Sequence, residues 1–278
     1  NWFVWKLPCF WPENCGNPEV KPSTATVRVV NGVEAIPHSW PWQASPFSPI
    51  PYMHGCGGSL IHEEWILTAA HCFIPLNVPS FWRMCLGKHH MNSSMDIPSA
   101  EECYKVDTII RHKGFVYEQD PNDITNDIAL VHLAKPVNMI REISPICLPK
   151  PGVVMPAGTP CFVTGWGDEK GKNSHAFPTL LRLLIKTDFY KFKVTETIYS
   201  SCQNLMFCSG DSGGPLACTA ATAAGGTNTI WEVHGIVSFG AQGCIRDKKP
   251  SVFTRVSAFS DWIDSNIKKY IYESGKAL

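Results

Sequence analysis

Residues 210–216 read Gly-Asp-Ser-Gly-Gly-Pro-Leu, and this stretch decides both the fold and the chemistry expected of the 278-residue chain. Its glycines permit a turn in which neighbouring backbone N–H groups point toward one developing negative charge. Two other motifs lie upstream: residues 68–72 read Thr-Ala-Ala-His-Cys, and residues 126–130 read Asn-Asp-Ile-Ala-Leu. The chain therefore carries a histidine, an aspartate and a serine in that order, each inside a motif of its own.

These three residues predict nucleophilic hydrolysis. A serine hydroxyl is a poor nucleophile near neutral pH, so Ser212 needs a base, and an imidazole with a pKa of about 6.5 suits that task. His71 is the predicted base, and Asp127 is predicted to hydrogen-bond its other ring nitrogen and fix the tautomer. The backbone N–H groups of Gly210 and Ser212 are the predicted oxyanion hole, in which each donor is typically worth roughly 3 kcal/mol.

Together the motifs resemble those of trypsin/chymotrypsin-type serine proteases, and the resemblance covers nearly the whole chain. It implies an all-β fold, with two antiparallel six-stranded β-barrels, a C-terminal α-helix and an active site in the cleft between the barrels. Short β-rich runs separated by proline and glycine, such as 65–67, 128–133 and 230–237, also favour barrels or sandwiches. Apolar residues at helical spacing predict a helix over Ser260–Tyr270.

The resemblance divides the chain into a propeptide at 1–28, a peptidase domain at 29–270 and a tail at 271–278. Within the peptidase domain, it places the N-terminal barrel at about 29–144 and the C-terminal barrel with its helix at about 157–270. A proline-rich crossover is expected to join the two barrels.

Composition excludes several classes of partner. The formal net charge is zero, so no strong field attracts nucleic acid or an anionic membrane. No run approaches the roughly 20 apolar residues of a membrane helix, and Asn1–Trp11 is interpreted as a fragment or a processed pro-segment. Proteins or peptides are the expected substrates, taken by a monomer that needs no cofactor.

Cysteine usage predicts the compartment. The chain has 12 cysteines and no Cys-x-x-Cys pair, which is typical of disulfides formed in an oxidising compartment. Secretion is therefore expected. In a secreted chain, Asn92 of the tripeptide Asn-Ser-Ser is a candidate glycosylation acceptor.

Residues 28–32, Arg-Val-Val-Asn-Gly, resemble the activation site of a zymogen. Cleavage after Arg28 by a trypsin-like protease would free the ammonium of Val29. The resemblance places that ammonium beside the carboxylate of Asp211, where the ion pair would order the oxyanion loop. The alternative is that Arg28 is an ordinary basic residue of an exposed linker.

Disulfide pairings follow from the same resemblance. It implies bonds that join Cys15 to Cys147, Cys56 to Cys72 and Cys161 to Cys218, and the first would keep the propeptide tethered after cleavage. Cys85 and Cys103 flank a loop, and a bond between them is one of the pairings that the sequence leaves open.

No metal site is expected. Some relatives hold calcium in a loop whose first carboxylate ligand falls here at Lys88, and a cation cannot ligate calcium. Asp96, Glu101 and Glu102 nearby are interpreted as a solvated rim. The adjacent pair His89–His90 lacks further ligands at suitable spacing, so both are interpreted as surface residues.

One segment departs from the family pattern. Residues 206–210, Met-Phe-Cys-Ser-Gly, run directly into the nucleophile motif, and about ten residues are absent by comparison with the family. Cys208 then bonds either to Cys244, which would close the substrate pocket, or to an upstream cysteine such as Cys202. It cannot do both, so an odd thiol remains.

The same segment sets the expected specificity. In relatives the residue six before the serine lies at the pocket floor, so the resemblance implies that Met206 takes that position, where a carboxylate would be needed to bind a basic side chain. Ser238 and Gly240 are expected along the pocket, with Gly240 leaving its entrance open and Ser251 narrowing it. A medium or large apolar side chain is therefore the expected target.

Three functions compete. The leading interpretation is a secreted endopeptidase zymogen that cleaves beside apolar residues. The alternative is a catalytically impaired homologue that acts as a binding protein, because loss of pocket wall can leave a triad without a productive site. A disulfide-stapled structural module without catalytic ancestry would leave the motifs around His71 and Ser212 unexplained.

Overall fold

The computed structural model describes these residues of the chain: 11–24, 33–47, 56–91, 101–117, 124–156, 158–167, 180–186, 197–200, 211–220, 229–239 and 251–275. Thirteen strands and one α-helix fall within those ranges, together with short 3₁₀ turns at Ala70–Phe73, Pro79–Phe81 and Val256–Ala258. Two β units result, and they are described in turn.

The first unit is a closed antiparallel barrel of six strands in the order β2-β3-β4-β7-β6-β5. Its strands are β2 (Gln43–Phe47), β3 (Gly58–His62), β4 (Trp65–Thr68), β5 (Arg83–Leu86), β6 (Glu102–Arg111) and β7 (Ala129–Leu133). Strands β4 and β7 are buried along their whole length. They pair from Trp65 opposite His132 to Thr68 opposite Ala129.

The second unit is a seven-stranded antiparallel sheet in the order β1-β9-β8-β11-β12-β13-β10. Its strands are β1 (Val33–Glu34), β8 (Pro160–Gly165), β9 (Leu181–Lys186), β10 (Thr197–Ser200), β11 (Pro215–Thr219), β12 (Trp231–Phe239) and β13 (Ser251–Arg255). Strand β1 comes from the amino-terminal half and pairs with β9, so it adds a strand to the six that the resemblance implies.

Large aromatic side chains fill the space between the two units. Trp40 precedes β2, and its ring lies 5.6 Å from Phe162 of β8 and 4.9 Å from Trp231 of β12, measured between ring centroids. All three are almost fully buried. One continuous apolar core therefore holds the barrel against the sheet.

The C-terminal helix α1 runs over Ser260–Ser274. Ile263 and Ile267 are buried, and Ile271 packs against the same core. The helix ends at Gly275, whose φ of 65° is the left-handed conformation typical of a helix C-cap. The sequence-based end at Tyr270 was too early, because Ile271 continues the buried face for another turn.

The all-β class with a C-terminal helix is thus confirmed. Four disulfides lie within the described residues: they join Cys15 to Cys147, Cys56 to Cys72, Cys85 to Cys103 and Cys161 to Cys218. None of the helices in the described ranges has the length and apolar character needed to cross a membrane.

Candidate active site

The pairing of β4 with β7 brings His71 and Asp127 together. Thr68 ends β4 and lies opposite Ala129, the first residue of β7. His71 follows Thr68 in the 3₁₀ turn Ala70–Phe73, and Asp127 immediately precedes the opposite strand. Both residues therefore leave the barrel wall at the same end.

Two hydrogen bonds then join the pair. The backbone N–H of His71 donates to Asp127 Oδ1 at 2.9 Å, and His71 Nδ1 lies 2.7 Å from Asp127 Oδ2. Asp127 is 2% exposed, whereas the His71 side chain is 18% exposed. The carboxylate thus fixes the imidazole through Nδ1 and leaves Nε2 to face the substrate side.

The second sheet holds the same carboxylate. Ser238 Oγ, on β12, donates to Asp127 Oδ2 at 2.5 Å, and Thr254 Oγ1, on β13, donates to the Asp127 carbonyl at 2.8 Å. Burial raises the pKa of Asp127, but its attraction to His71 and its hydrogen bonds with His71 and Ser238 outweigh burial and hold the pKa below its usual range. The aspartate therefore stays ionised beside the histidine.

Sequence reasoning missed these two partners. It named Ser238 only as a substrate-pocket residue, and the structure adds that its buried hydroxyl donates to Asp127. It did not single out Thr254. No sequence signal links either residue to Asp127, because each contact depends on how β12 and β13 pack against the first barrel.

Ser212 and His71 both lie close to the Cys56–Cys72 disulfide. Its carbonyl accepts a hydrogen bond of 2.6 Å from the N–H of Gly57, next to Cys56, which bonds to Cys72. Cys72 Sγ lies 3.8 Å from the Ser212 carbonyl oxygen and 3.9 Å from His71 Nε2.

Within the described ranges, no hydrogen bond joins the Ser212 and His71 side chains. Such catalytic hydrogen bonds are often long in unliganded sites and tighten only when substrate binds.

Glycine is required directly after Ser212. Gly213 has a φ of 79°, and a Cβ at this position would lie 2.3 Å from Thr68 Oγ1 and 2.7 Å from the Gly57 carbonyl. Its N–H donates to the Val237 carbonyl at 2.7 Å. The turn therefore places Ser212 so close to the first barrel that a side chain at position 213 would clash with it.

Asp211 lies against Gly165 and Gly167, at the end of β8. The Gly167 N–H donates to Asp211 Oδ1 at 2.9 Å. Burial raises the pKa of Asp211 to about 6, and the hydrogen bond from Gly167 opposes this rise only in part. No cation from the described residues neutralises the carboxylate, and its expected partner, Val29, lies outside them.

Other predicted site residues also lie outside the described ranges. They are Arg28, Asn92, Met206, Cys208, Gly210, Gly240 and Cys244. Ser251 is described as the first residue of β13, where it pairs with Ser200 of β10.

Two surface assignments from the sequence were wrong. Glu101 pairs with Lys88 at 2.7 Å, with side chains only 16% and 11% exposed, so Lys88 supplies a positive charge inside this loop. His89 is 3% exposed and lies 3.1 Å from Glu34 Oε1, because β1 covers it. Both groups of possible metal ligands among the described residues contain cysteines that are bonded in disulfides.

Comparison with known proteins agrees with this geometry. The Trypsin family model matches residues 29–263. Chymotrypsin-C of Rattus norvegicus is 39% identical over 267 residues, covering 91% of this chain and 94% of the relative. Chymotrypsin-C of Mus musculus and of Bos taurus are each 37% identical, covering 92% and 93% of this chain and 94% and 95% of the relatives. This chain therefore belongs to the trypsin family and is a serine endopeptidase.

Proposed function

We propose that this protein is a secreted zymogen whose matured form hydrolyses peptide bonds through Ser212, His71 and Asp127. The observation that carries the proposal is the buried, ionised Asp127, which binds both the ring and the backbone of His71. Ser212 lies near the same disulfide as His71, since Cys72 Sγ is 3.8 Å from the Ser212 carbonyl oxygen and 3.9 Å from His71 Nε2.

The reaction follows from these positions. His71 Nε2 takes the proton of Ser212 Oγ as the oxygen attacks the scissile carbonyl, and Asp127 stabilises the resulting imidazolium. Gly210 and Ser212 N–H groups bind the oxyanion. His71 then returns the proton to the leaving amine, and water repeats the sequence to release the acyl group.

Activation is the second part of the proposal. A trypsin-like protease cleaves after Arg28, and the new ammonium of Val29 binds the carboxylate of Asp211. The environment of Asp211 supports this, because a buried carboxylate whose described neighbours supply one N–H and no cation favours an incoming positive charge. The Cys15–Cys147 bond keeps the propeptide attached.

Specificity and location complete the proposal. The matured enzyme cleaves protein or peptide substrates beside apolar residues, since Met206 offers no carboxylate at the expected pocket floor. It acts as a monomer outside the cell, without nucleic acid or membrane partners. The four disulfides support secretion, because such bonds persist in oxidising compartments.

One test addresses activation and catalysis together. Brief trypsin treatment should create a Val29 terminus and make Ser212 react with a fluorophosphonate probe, located by peptide mass spectrometry. His71→Ala should keep the cleavage and lose the labelling, because the base is removed.

A second candidate function is a catalytically impaired homologue that binds proteins. Two features favour it: the short segment before Ser212 and the lack of a described hydrogen bond between Ser212 and His71. A chain with a confirmed Val29 terminus and unlabelled Ser212 would support this second function and contradict the proposal that the matured chain is an active enzyme.

A further inference from the structure

A buried amide lies behind the nucleophile turn. Gln43, on β2 of the closed barrel, is 2% exposed, and Thr164, on β8 of the second sheet, is 1% exposed. Thr164 Oγ1 donates a hydrogen bond of 2.5 Å to Gln43 Oε1. Two side chains without access to water thus join the two β units directly.

The other end of this amide faces the backbone that holds Ser212. A Cβ built on Gly57 would lie 3.1 Å from Gln43 Nε2 and 3.1 Å from Gly214 Cα, and one built on Gly214 would lie 3.9 Å from the same nitrogen. Gln43 Nε2 is buried and hydrogen-bonds to nothing in the part of the chain that the structure describes. The amide nitrogen therefore fills the space beside the Gly57 and Gly214 backbones that a side chain on either glycine would enter.

Both neighbouring glycines are hydrogen-bonded to residues of the proposed site. The Gly57 N–H donates to the Ser212 carbonyl at 2.6 Å, and the Gly214 N–H donates to the Asp211 carbonyl at 3.0 Å. Gly57 also accepts a hydrogen bond of 2.7 Å from Thr68, just ahead of the turn that carries His71. A shift of Gly57 would consequently move the nucleophile relative to its base.

We infer that Gln43 is a positioning residue for the proposed reaction. Its amide, held by Thr164, sets the spacing between the Gly57 backbone and the turn at Ser212, and so sets the approach of Ser212 to His71. The inference rests on the proposed function. The expected effect on the reaction rate is large, since a displacement of about 1 Å at such a site can cost about 100-fold in rate.

The experiment compares variants of the trypsin-matured chain. Gln43→Met keeps the length of the side chain and removes the amide. Thr164→Val removes the hydrogen bond from its other end, and Thr164→Ser keeps it. Ser59→Ala is the matched control, because Ser59 is buried opposite Gln43 on β3 and its hydroxyl has no described hydrogen bond.

The readouts are the fluorophosphonate labelling rate of Ser212, kcat and KM on a peptide amide, and Tm. We expect Gln43→Met to lower the labelling rate and kcat at least tenfold, with KM within twofold of the parent. We expect Thr164→Val to lower kcat at least threefold relative to Thr164→Ser, and Ser59→Ala to leave both rates unchanged.

Two results would overturn the inference. If Gln43→Met lowers Tm but its folded fraction labels within threefold of the parent, the amide is only structural. If Gln43→Met does not fold, the threonine pair decides, and a kcat ratio below threefold rejects the inference. A parent chain that is cleaved but not labelled rejects the proposed function as well, which separates the two failures.

Discussion

At the residue scale, the hydrogen bond from Ser238 to Asp127 makes a direct prediction. A hydrogen bond to an ionised group is worth about 1.5–3 kcal/mol, so we expect Ser238→Ala to lower the labelling rate of matured Ser212 about tenfold or more. Ser257→Ala is the control, because Ser257 is equally buried but donates to Val153 instead. Equal labelling of both variants would show that Asp127 does not need Ser238.

The raised pKa of Asp211 predicts that the stability of the uncleaved chain depends on pH. Its folded pKa of about 6 lies above the unfolded value of 3.8, so the folded state binds more protons in that window. Stability should therefore fall as pH rises from about 4 to about 6 and then level off. Urea unfolding of parent and Asp211→Asn across this range measures the effect. A stability difference that does not change with pH would contradict it.

The residue scale also shows the limit of sequence reasoning. The motifs around His71, Asp127 and Ser212 are local, so their residue types alone indicated a shared site. The bonds from Ser238 and Thr254 to Asp127, and the bond from Thr164 to Gln43, join residues far apart in the chain. Only the packing of one β unit on the other creates them, and no spacing in the sequence encodes it.

At the element scale, Lys88 supplies a positive charge between β5 and β6 that pairs with Glu101. Lys88→Met would leave Glu101 charged and mostly buried, so we expect a loss of about 1–3 kcal/mol in unfolding free energy. Adding Glu101→Gln to Lys88→Met should recover part of that loss, because it removes the carboxylate charge that has lost its partner. EDTA should leave the parent Tm unchanged.

Either of two results would contradict this account of the β5–β6 segment. One is a parent chain whose Tm falls with EDTA and recovers with calcium. The other is a double variant that is no more stable than Lys88→Met alone.

Helix α1 makes a second prediction at this scale. Tyr270 donates to Asp107 of β6 at 2.5 Å, and its ring lies 5.2 Å from Trp65 in an edge-to-face arrangement. Tyr270→Phe keeps the ring contacts and removes the hydrogen bond, so we expect a loss of about 1 kcal/mol. Tyr272→Phe, at an 88% exposed position, should cost nothing measurable. Equal melting temperatures for the two variants would show that the bond does not fasten the helix.

Predictability also differed between elements. Short β runs and the C-terminal helix followed from periodicity and turn residues, whereas the arrangement in two β units was implied by the family resemblance. Strand β1 did not, because its two residues gain their partner only when β9 is in place. His89 lies 3.1 Å from Glu34 of this strand, a partner 55 residues away that no spacing in the sequence indicates, and for this reason the histidine was assigned to the surface.

At the scale of the whole molecule, the two β units supply different parts of the site. The barrel carries His71 and Asp127, the sheet carries Asp211, Ser212 and Ser238, and a single apolar core joins them. The proposed catalysis therefore depends on how the two units pack together. Two sets of contacts fix the position of one unit against the other. They are the ring contacts of Trp40 with Phe162 and Trp231, and the hydrogen bond between Thr164 and Gln43.

The measurement that tests this account most directly is a cleavage-site map. Matured parent chain and matured Ser212→Ala are each incubated with a mixture of unstructured peptides, and the new peptide ends are sequenced by mass spectrometry. The account predicts new ends after apolar residues with the parent and none with Ser212→Ala. Identical maps from the two chains, both carrying a Val29 terminus, would contradict it.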